Sequence, residues 1–186
     1  MSAANTIEIT IARKTDSFPA GTTPLEAIAR LAPALEDRAL CVMCAGDSLE
    51  LNQPLHRSCS LLPLTYHNEE GRRVYERSLR FLLLLAMRRL YPEKRVRILN
   101  SVGYGVYMRV AGEEMDFQTV RALEEEMHAL VREDLPFEKE IWTTQQAIAH
   151  FQDSPDKAEL LKYRPSDTIP MYKLKDMYEY FYGIMV

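Results

Sequence analysis

Glycine and cysteine are scarce in this chain, which has seven glycines, three cysteines and one tryptophan among 186 residues. So few cysteines exclude the dense disulfide framework of a small secreted domain, and the first residues lack the basic and apolar regions of a signal peptide. The apolar run at 81–87 is far shorter than the roughly 20 residues that cross a bilayer. We therefore expect a cytoplasmic globular protein of one or two domains that does not associate with a membrane.

The net charge of −4 conceals an uneven distribution along the chain. Residues 72–98 carry nine lysines and arginines against two glutamates, whereas residues 1–71 and 99–186 are net acidic. A basic segment within an acidic chain is typical of a surface that binds anions or nucleic acid. It is also explained by arginines that pair with carboxylates elsewhere in the protein, and the sequence leaves both interpretations open.

Residues 6–67 show short strand patterns and turn signals around one helix. Isoleucines spaced two apart from position 7 predict a half-buried strand, and Asp16-Ser17 predicts the turn that follows it. Thr23 has the spacing of a helix N-cap, with Pro24 at the first helical position and Glu26 completing a capping box. Three further strand patterns follow, so the predicted order is strand, strand, helix, strand, strand, strand.

That order and the stretch FPAGTTPLEAI at 18–28 resemble the TGS domain, which has a ubiquitin-like β-grasp fold. The resemblance covers residues 6–67, so we place a first domain at 1–67. The polar stretch NEEGRR at 68–73 is the predicted linker, and a second domain is expected at 74–186. In the proteins that carry it, the TGS domain implies regulation or RNA contact without chemistry of its own.

The second region opens with a predicted helix at 74–92, followed by two strands with a turn at Gly103-Tyr104-Gly105 between them. A long amphipathic helix is predicted at 118–134 from apolar residues at helical spacing. The stretches YERSLRFLLLLAMRRLYP, VREDLPFEKE, TTQQAIAHF and YFYGIMV resemble, in this order, the second additional domain of threonyl- and alanyl-tRNA synthetases. That domain hydrolyses mischarged tRNA, so the resemblance implies an α+β editing-like fold.

The residues that do the chemistry in that family are replaced here. The family places two histidines on the first helix and a Cys-x-x-x-His near the end, and the matching positions are Arg77, Phe81, Phe181 and Met185. Arginine stays protonated at neutral pH, phenylalanine binds no metal, and methionine alone is a weak ligand. The resemblance therefore implies a domain without catalytic residues, metal or cofactor in this chain.

A binding role for the former cleft remains open. Arg109 stands at an acidic position of the family, and arginines near aromatic rings suit phosphate or a nucleotide because they form bidentate contacts and stack. We predict a cleft that binds a nucleotide or RNA, tRNA included. Alternatively, Arg77 and Arg109 pair locally, with Glu76 or Asp116. The predicted cleft residues are Arg77, Phe81, Tyr107, Arg109, Lys162, Arg164, Phe181 and Met185.

A zinc site is the other motif to weigh. Cys41 and Cys44, with His56 and Cys59, superficially have zinc-ligand spacing. Cys41 and Cys44 fall in a predicted strand, however, where an offset of three residues puts side chains on opposite faces. We therefore favour buried cysteines over a metal site.

The C-terminal stretch ELLKYRPSDTIPMYKLKDMYEYFYGIMV resembles bacterial proteins of the uridine kinase class, in which TGS-like and editing-like domains precede a kinase domain. This resemblance implies a regulatory module of a nucleoside kinase, with a kinase domain in cis beyond Val186 that would use ATP and Mg²⁺. Two alternatives stay open. One is a freestanding synthetase-like editing protein that deacylates mischarged tRNA, and the other is a structural or dimerisation module that forms oligomers.

Overall fold

The computed structural model describes residues 5–102, 105–111 and 115–186, without the side chain of Ser101. Most of the predicted turn at Gly103-Tyr104-Gly105 therefore lies outside the described residues. Two compact units are present: one contains the residues up to Ser78 together with Tyr182–Val186, and the other is Leu79–Phe181. Each unit is described by itself below, and the predicted domain ranges remain a prediction.

The first unit is a five-stranded sheet with one helix. Its strands lie in the order β2-β1-β5-β3-β4, with β1 and β5 parallel and the other pairs antiparallel. Ile7, Ile9 and Ile11 are buried in a core that α1 shares through Ala27 and Ile28. This arrangement is a β-grasp fold. Its elements are β1 (Thr6–Ile11), β2 (Lys14–Pro19), α1 (Pro24–Leu31), a 3-10 turn (Pro33–Leu35), β3 (Cys41–Cys44), β4 (Asp47–Leu49) and β5 (Cys59–Leu64).

The first hairpin turns earlier than the sequence predicts. Asp16 and Ser17 lie within β2, and the turn is formed by Ala12 and Arg13, which have φ angles of 50° and 70°. Two consecutive positive φ angles suit the right-handed twist of a two-residue hairpin. The carboxylate of Asp16 is used instead in an ion pair with Arg30 of α1 at 2.6 Å. The turn predicted at Asp16-Ser17 is therefore wrong.

The predicted capping box of α1 is confirmed. The side chain of Thr23 accepts a hydrogen bond from the backbone N–H of Glu26, and the Glu26 carboxylate accepts one from the backbone N–H of Thr23 at 2.8 Å. Pro24 occupies the first turn, where its missing N–H is not needed. These contacts fix the start of the helix that covers one face of the sheet.

The predicted polar linker at 68–73 is helical from Glu69, because α2 spans Glu69–Leu90. Glu69 and Glu70 in its first turn are favoured by the helix dipole, and Glu69 pairs with Arg73 at 2.6 Å. Gly71 allows close packing at this end, since a Cβ there would lie 2.2 Å from the carbonyl oxygen of Thr65. Polar residues alone do not distinguish a linker from an exposed first turn, so the linker between two domains at 68–73 remains a prediction.

The second unit contains the C-terminal part of α2, a two-stranded ribbon and a three-stranded sheet in the order β10-β9-β8. All strand pairs are antiparallel. One buried core lies between the three-stranded sheet and the two short helices, with Ala147, Phe151, Leu161, Ile169 and Met171. The elements are β6 (Val96–Val102), β7 (Gly105–Val110), α3 (Phe117–Glu133), β8 (Glu138–Thr143), α4 (Thr144–His150), α5 (Pro155–Lys162), β9 (Thr168–Leu174) and β10 (Met177–Glu179).

The predicted α+β class is confirmed by these two units. None of the helices in the described residues combines the length and apolar character that a membrane span requires.

Candidate functional site

Arg77, one of the predicted cleft residues, is anchored inside the first unit. It lies on α2, is half-buried, and donates a hydrogen bond from Nη1 to the carbonyl oxygen of Ile184. Gly183 has a φ of +111°, and a Cβ there would lie 2.6 Å from the Arg77 Cζ atom. The backbone of Gly183 thus lies directly against the guanidinium, so Arg77 holds the end of the chain in place.

Met185 is buried in the same neighbourhood. Its exposed fraction is 1%, and its sulfur lies 3.5 Å from the Ser78 hydroxyl, which also accepts a hydrogen bond from the backbone N–H of Val186 at 3.0 Å. Ile184 packs against the cluster of Cys41, Leu64 and Val74. We call Tyr182–Val186 the C-terminal anchor, because its last residues are tied to α2 within the first unit.

Phe81 and Phe181 belong to the second unit and contact each other. Their ring centroids are 5.4 Å apart, and a second ring, Phe137, lies 5.9 Å from Phe81. Phe81 is completely buried. This geometry is typical of aromatic packing in a core. Neither ring offers a proton acceptor or a metal ligand.

The four positions at which the synthetase resemblance places histidine and cysteine are thus filled by packing and anchoring side chains. A water-activating site needs a neutral base or a metal with a free position. Among residues 5–102, 105–111 and 115–186, no three histidine, cysteine or acidic side chains group as metal ligands would. The arrangement at these positions can therefore hold the fold together, but it has no group that activates water.

Tyr107 and Arg109 lie on β7, which pairs with β6 to form a ribbon. The register sets Arg97 opposite Arg109, Asn100 opposite Tyr107 and Val102 opposite Gly105. These six residues share one face, which we call the outer face of the ribbon, and all six are exposed. The other face carries Val96, Ile98, Val106, Met108 and Val110, which are half-buried or buried. The ribbon therefore presents its polar side to solvent.

Lys162 and Arg164, the remaining predicted cleft residues, have local partners. Lys162 forms an ion pair with Glu159 at 2.8 Å, one turn away on α5. Arg164 lies over the ring of Tyr180, with its Cζ 5.3 Å from the centroid. Asp116, weighed as a partner of Arg109, instead caps α3 by accepting a hydrogen bond from the Thr119 N–H at 2.8 Å. That all eight predicted residues line one cleft remains a prediction.

The cysteines are arranged as the strand pattern predicts. Cys41 packs with Leu64 and Val74, whereas Cys44 packs against the isoleucine core on the opposite side of the sheet. Burial, reinforced by the nearby Glu70 carboxylate, raises the pKa of the Cys41 thiol to about 11. Burial and the neighbouring Cys44 likewise raise the pKa of Cys59 to about 11. At neutral pH both thiols are protonated, which disfavours metal binding.

Several charged contacts were not predicted from the sequence. Arg89 of α2 forms ion pairs with Glu126 and Glu133 of α3, at 2.8 and 2.7 Å, and its hydrogen bond lowers the pKa of Glu133. Glu179 is 3% exposed and pairs with Lys157 at 2.5 Å. The basic composition of 72–98 left open that its arginines pair with carboxylates, but the partners of Arg89 are 37 and 44 residues away along the chain.

The comparisons with known proteins point to one class of enzyme. The chain is 31% identical over 155 residues to the threonine–tRNA ligase of Desulforamulus reducens, which aligns 82% of this chain with 24% of the ligase. It is 31% identical to the corresponding ligase of Carboxydothermus hydrogenoformans over 80% of this chain and 24% of the ligase. For the ligase of Halalkalibacterium halodurans the identity is 28%, over 91% of this chain and 27% of the ligase.

The chain thus spans about a quarter of the length of the curated relatives it matches. No protein-family model matches it. Together with the β-grasp unit and the α+β unit, the similarity supports the fold expected from the sequence: a TGS-like domain followed by a domain like the second additional domain of the synthetases.

The same similarity overturns the expectation of a uridine kinase parent. The three relatives share between 80% and 91% of this chain and are threonine–tRNA ligases. The kinase hypothesis depended mainly on the C-terminal stretch, where Phe181 and Met185 replace the family's catalytic residues. Those replacements do not identify a different parent. ATP, Mg²⁺ and a kinase domain in cis were expected only on account of that parent.

Proposed function

We propose that this chain is a threonyl-tRNA synthetase-like module that binds tRNA and does not hydrolyse mischarged tRNA. The observation that carries the proposal is the similarity to threonine–tRNA ligases, which extends over four-fifths or more of the chain. A role for the TGS-like and editing-like units together is favoured, because the aligned part includes most of both. We place the protein in the cytoplasm, where tRNA is found.

The contacts of four side chains support the proposed absence of hydrolysis. Arg77 donates to the carbonyl oxygen of Ile184, Met185 is buried beside Ser78, and Phe81 packs against Phe181. Removing the base or the metal from a water-activating site leaves binding as the remaining capacity of the fold. The module would therefore hold tRNA, or position it for another protein, without changing it.

The net charge of the chain opposes RNA binding. The chain has a net charge of −4, so the whole protein repels RNA at long range. Binding then requires a local basic surface whose lysines and arginines displace the counterions of the phosphates. The exposed arginines of the ribbon, Arg97 in the basic segment 72–98 and Arg109, supply such charges.

The test is the affinity of the full 186-residue chain for a threonine-specific tRNA, measured by fluorescence anisotropy at several salt concentrations. We expect saturable binding. The logarithm of the association constant should fall linearly with the logarithm of the salt concentration. A tRNA of another specificity and an unrelated acidic protein of similar size are the controls. Absence of saturable tRNA binding at low salt would refute the proposal.

A second candidate is favoured by the same relatives: a freestanding editing protein that deacylates mischarged tRNA. It is tested by release of serine from serine-mischarged threonine tRNA, with the uncatalysed rate as the reference. We expect no release above that rate, and release would replace the first proposal by this one. Sedimentation with and without tRNA separates both from a structural or dimerisation module, for which only self-association is expected.

A further inference from the structure

The outer face of the ribbon carries two arginines at facing positions of neighbouring strands. Arg97 and Arg109 are directly opposite each other in the register of β6 and β7. Side chains in such a pair have Cβ atoms about 4.5 to 5.5 Å apart, and like charges at that distance destabilise the sheet. Folding therefore gains nothing from this pair, and an anion bound between the two guanidiniums would relieve the repulsion.

The carboxylates of the protein neutralise this pair only in part. Arg97 forms an ion pair with Asp156, but both side chains are 67% exposed, and such surface pairs contribute little. Within the described part of the chain, the side chain of Arg109 forms no hydrogen bond or ion pair. The outer face thus has one weakly paired guanidinium and one that has no partner among the described residues, and both side chains are exposed.

An aromatic ring lies next to the arginines on the same face. Tyr107 is 51% exposed and is two residues from Arg109 along β7, with Asn100 opposite it. Val102 is 65% exposed, which extends the apolar part of this face. Guanidiniums beside a flat exposed ring combine contacts to phosphates with a stacking platform for a base. RNA is bound in this way where its bases are unstacked.

From these observations we infer that the outer face of the ribbon binds a single-stranded segment of RNA, with Arg97 and Arg109 on its phosphates and Tyr107 stacked on a base. The inference rests on the proposed tRNA-binding function and specifies where that contact is made. An acidic protein surface would satisfy the two arginines as well, but it would leave Tyr107 without a stacking partner. The ring therefore favours RNA.

The test measures the affinity of the full chain for tRNA by fluorescence anisotropy as a function of salt. The double variant Arg97→Gln and Arg109→Gln should weaken binding by about tenfold or more. It should also reduce the salt slope, which is the slope of the logarithm of the association constant against that of the salt concentration, by about 0.7 to 0.9 for each lost phosphate contact. Arg97→Lys with Arg109→Lys keeps both charges, so the slope should stay near that of the original chain. Circular dichroism checks that each variant is folded.

The matched control for charge is Arg121→Gln with Arg132→Gln, which removes two exposed arginines from α3 of the same unit. We expect this control to change the affinity by less than about twofold at moderate salt, since charges outside the contact are largely screened. Tyr107→Ala should weaken binding by about tenfold while leaving the salt slope unchanged. Its control is Tyr163→Ala, because Tyr163 is 80% exposed but lies outside the ribbon.

The outcomes separate the two proposals. If the original chain binds tRNA and the ribbon variants behave like their controls, the ribbon inference is overturned and the proposed function stands. If the original chain does not bind tRNA at all, both are overturned. If polyglutamate competes as well as single-stranded RNA and loses affinity in the same variants, the surface binds acidic protein and the assignment to RNA is wrong.

Discussion

Two arginines show how differently this protein uses the same chemistry. Arg77 is half-buried, donates to the carbonyl oxygen of Ile184 and lies against the backbone of Gly183. The side chain of Arg109 is exposed on the outer face of the ribbon and forms no hydrogen bond or ion pair with the described residues. The first is committed to the stability of the fold, whereas the second is available to a ligand.

The difference extends to the surroundings of each residue. Around the positions that the resemblance assigns to catalysis, Phe81, Phe181 and Met185 make contacts inside the protein. On the ribbon, Tyr107 and Arg97 are largely exposed. If this contrast is correct, changes at the interior positions should alter stability and leave binding unaffected in a folded protein. Changes on the ribbon should do the reverse.

The largest effect is expected from Phe81→Ala. Removing a fully buried phenylalanine costs about 3 to 5 kcal/mol, because apolar contacts are lost and a cavity remains. The only tryptophan, Trp142, lies in the second unit, so its fluorescence during urea unfolding reports on that unit. Phe117→Ala is the control, since Phe117 is 75% exposed and its loss should cost less than about 1 kcal/mol. Equal losses of unfolding free energy for the two variants would contradict the burial of Phe81 in the core.

The second prediction concerns the C-terminal anchor. Gly183→Ala should lower the unfolding free energy by about 1 to 3 kcal/mol, because it places a side chain at positive φ and displaces the Arg77 guanidinium. Gly46→Ala is matched in φ, at +96°, but a Cβ there has open space around it. The difference between the two variants, measured by calorimetry, isolates the contact with Arg77.

A double variant sharpens this result. Arg77→Ala removes the guanidinium that the new Cβ at position 183 would contact. The losses of unfolding free energy caused by Arg77→Ala and by Gly183→Ala should therefore not add. Residues in direct contact typically deviate from additivity by about 0.5 to 3 kcal/mol. Strict additivity would show that Arg77 and Gly183 do not interact in solution.

The sequence predicted those parts of the fold that depend on neighbouring residues. The capping box of Thr23 and Glu26 spans three positions, and its geometry follows from the helix itself. The opposite orientation of Cys41 and Cys44 follows from the period of a strand. The position of the first hairpin turn was wrong, because the φ angles of Ala12 and Arg13 leave no clear signal in those residue types.

The candidate surfaces depend on contacts between distant residues, which periodicity does not specify. Arg97 and Arg109 become neighbours only through the register of β6 and β7, and an irregularity between Ile98 and Asn100 shifts that register. Arg77 meets Ile184, which is 107 residues away. The sequence identified Arg77, Tyr107 and Arg109 as residues of interest, but it could not indicate which of them is exposed.

The smallest predicted effect is on the pH dependence of the unfolding free energy, and it concerns two carboxylates of the second unit. Burial raises the pKa of Glu179 above its ordinary value, and Lys157 and His150 only partly oppose this. The folded chain therefore holds this proton more tightly than the unfolded chain. Its stabilising contribution is present below the ordinary glutamate pKa and is lost as the pH rises through the raised value, by at most about 1.4 kcal/mol per pH unit. Glu179→Gln should remove this decrease in stability with rising pH.

Glu140 should show the opposite pH dependence, because the hydrogen bonds that Trp142 and Tyr178 donate to it lower its pKa. The stability it contributes is present above its ordinary pKa and is lost as the pH falls through the lowered value. Glu140→Gln should therefore flatten the acid side of the stability profile, whereas Glu179→Gln flattens the side towards neutrality. Urea midpoints from pH 3 to 7, followed by Trp142 fluorescence, measure both. Variants that flatten the same side would contradict the opposite effects assigned to burial of Glu179 and to the hydrogen bonds of Glu140.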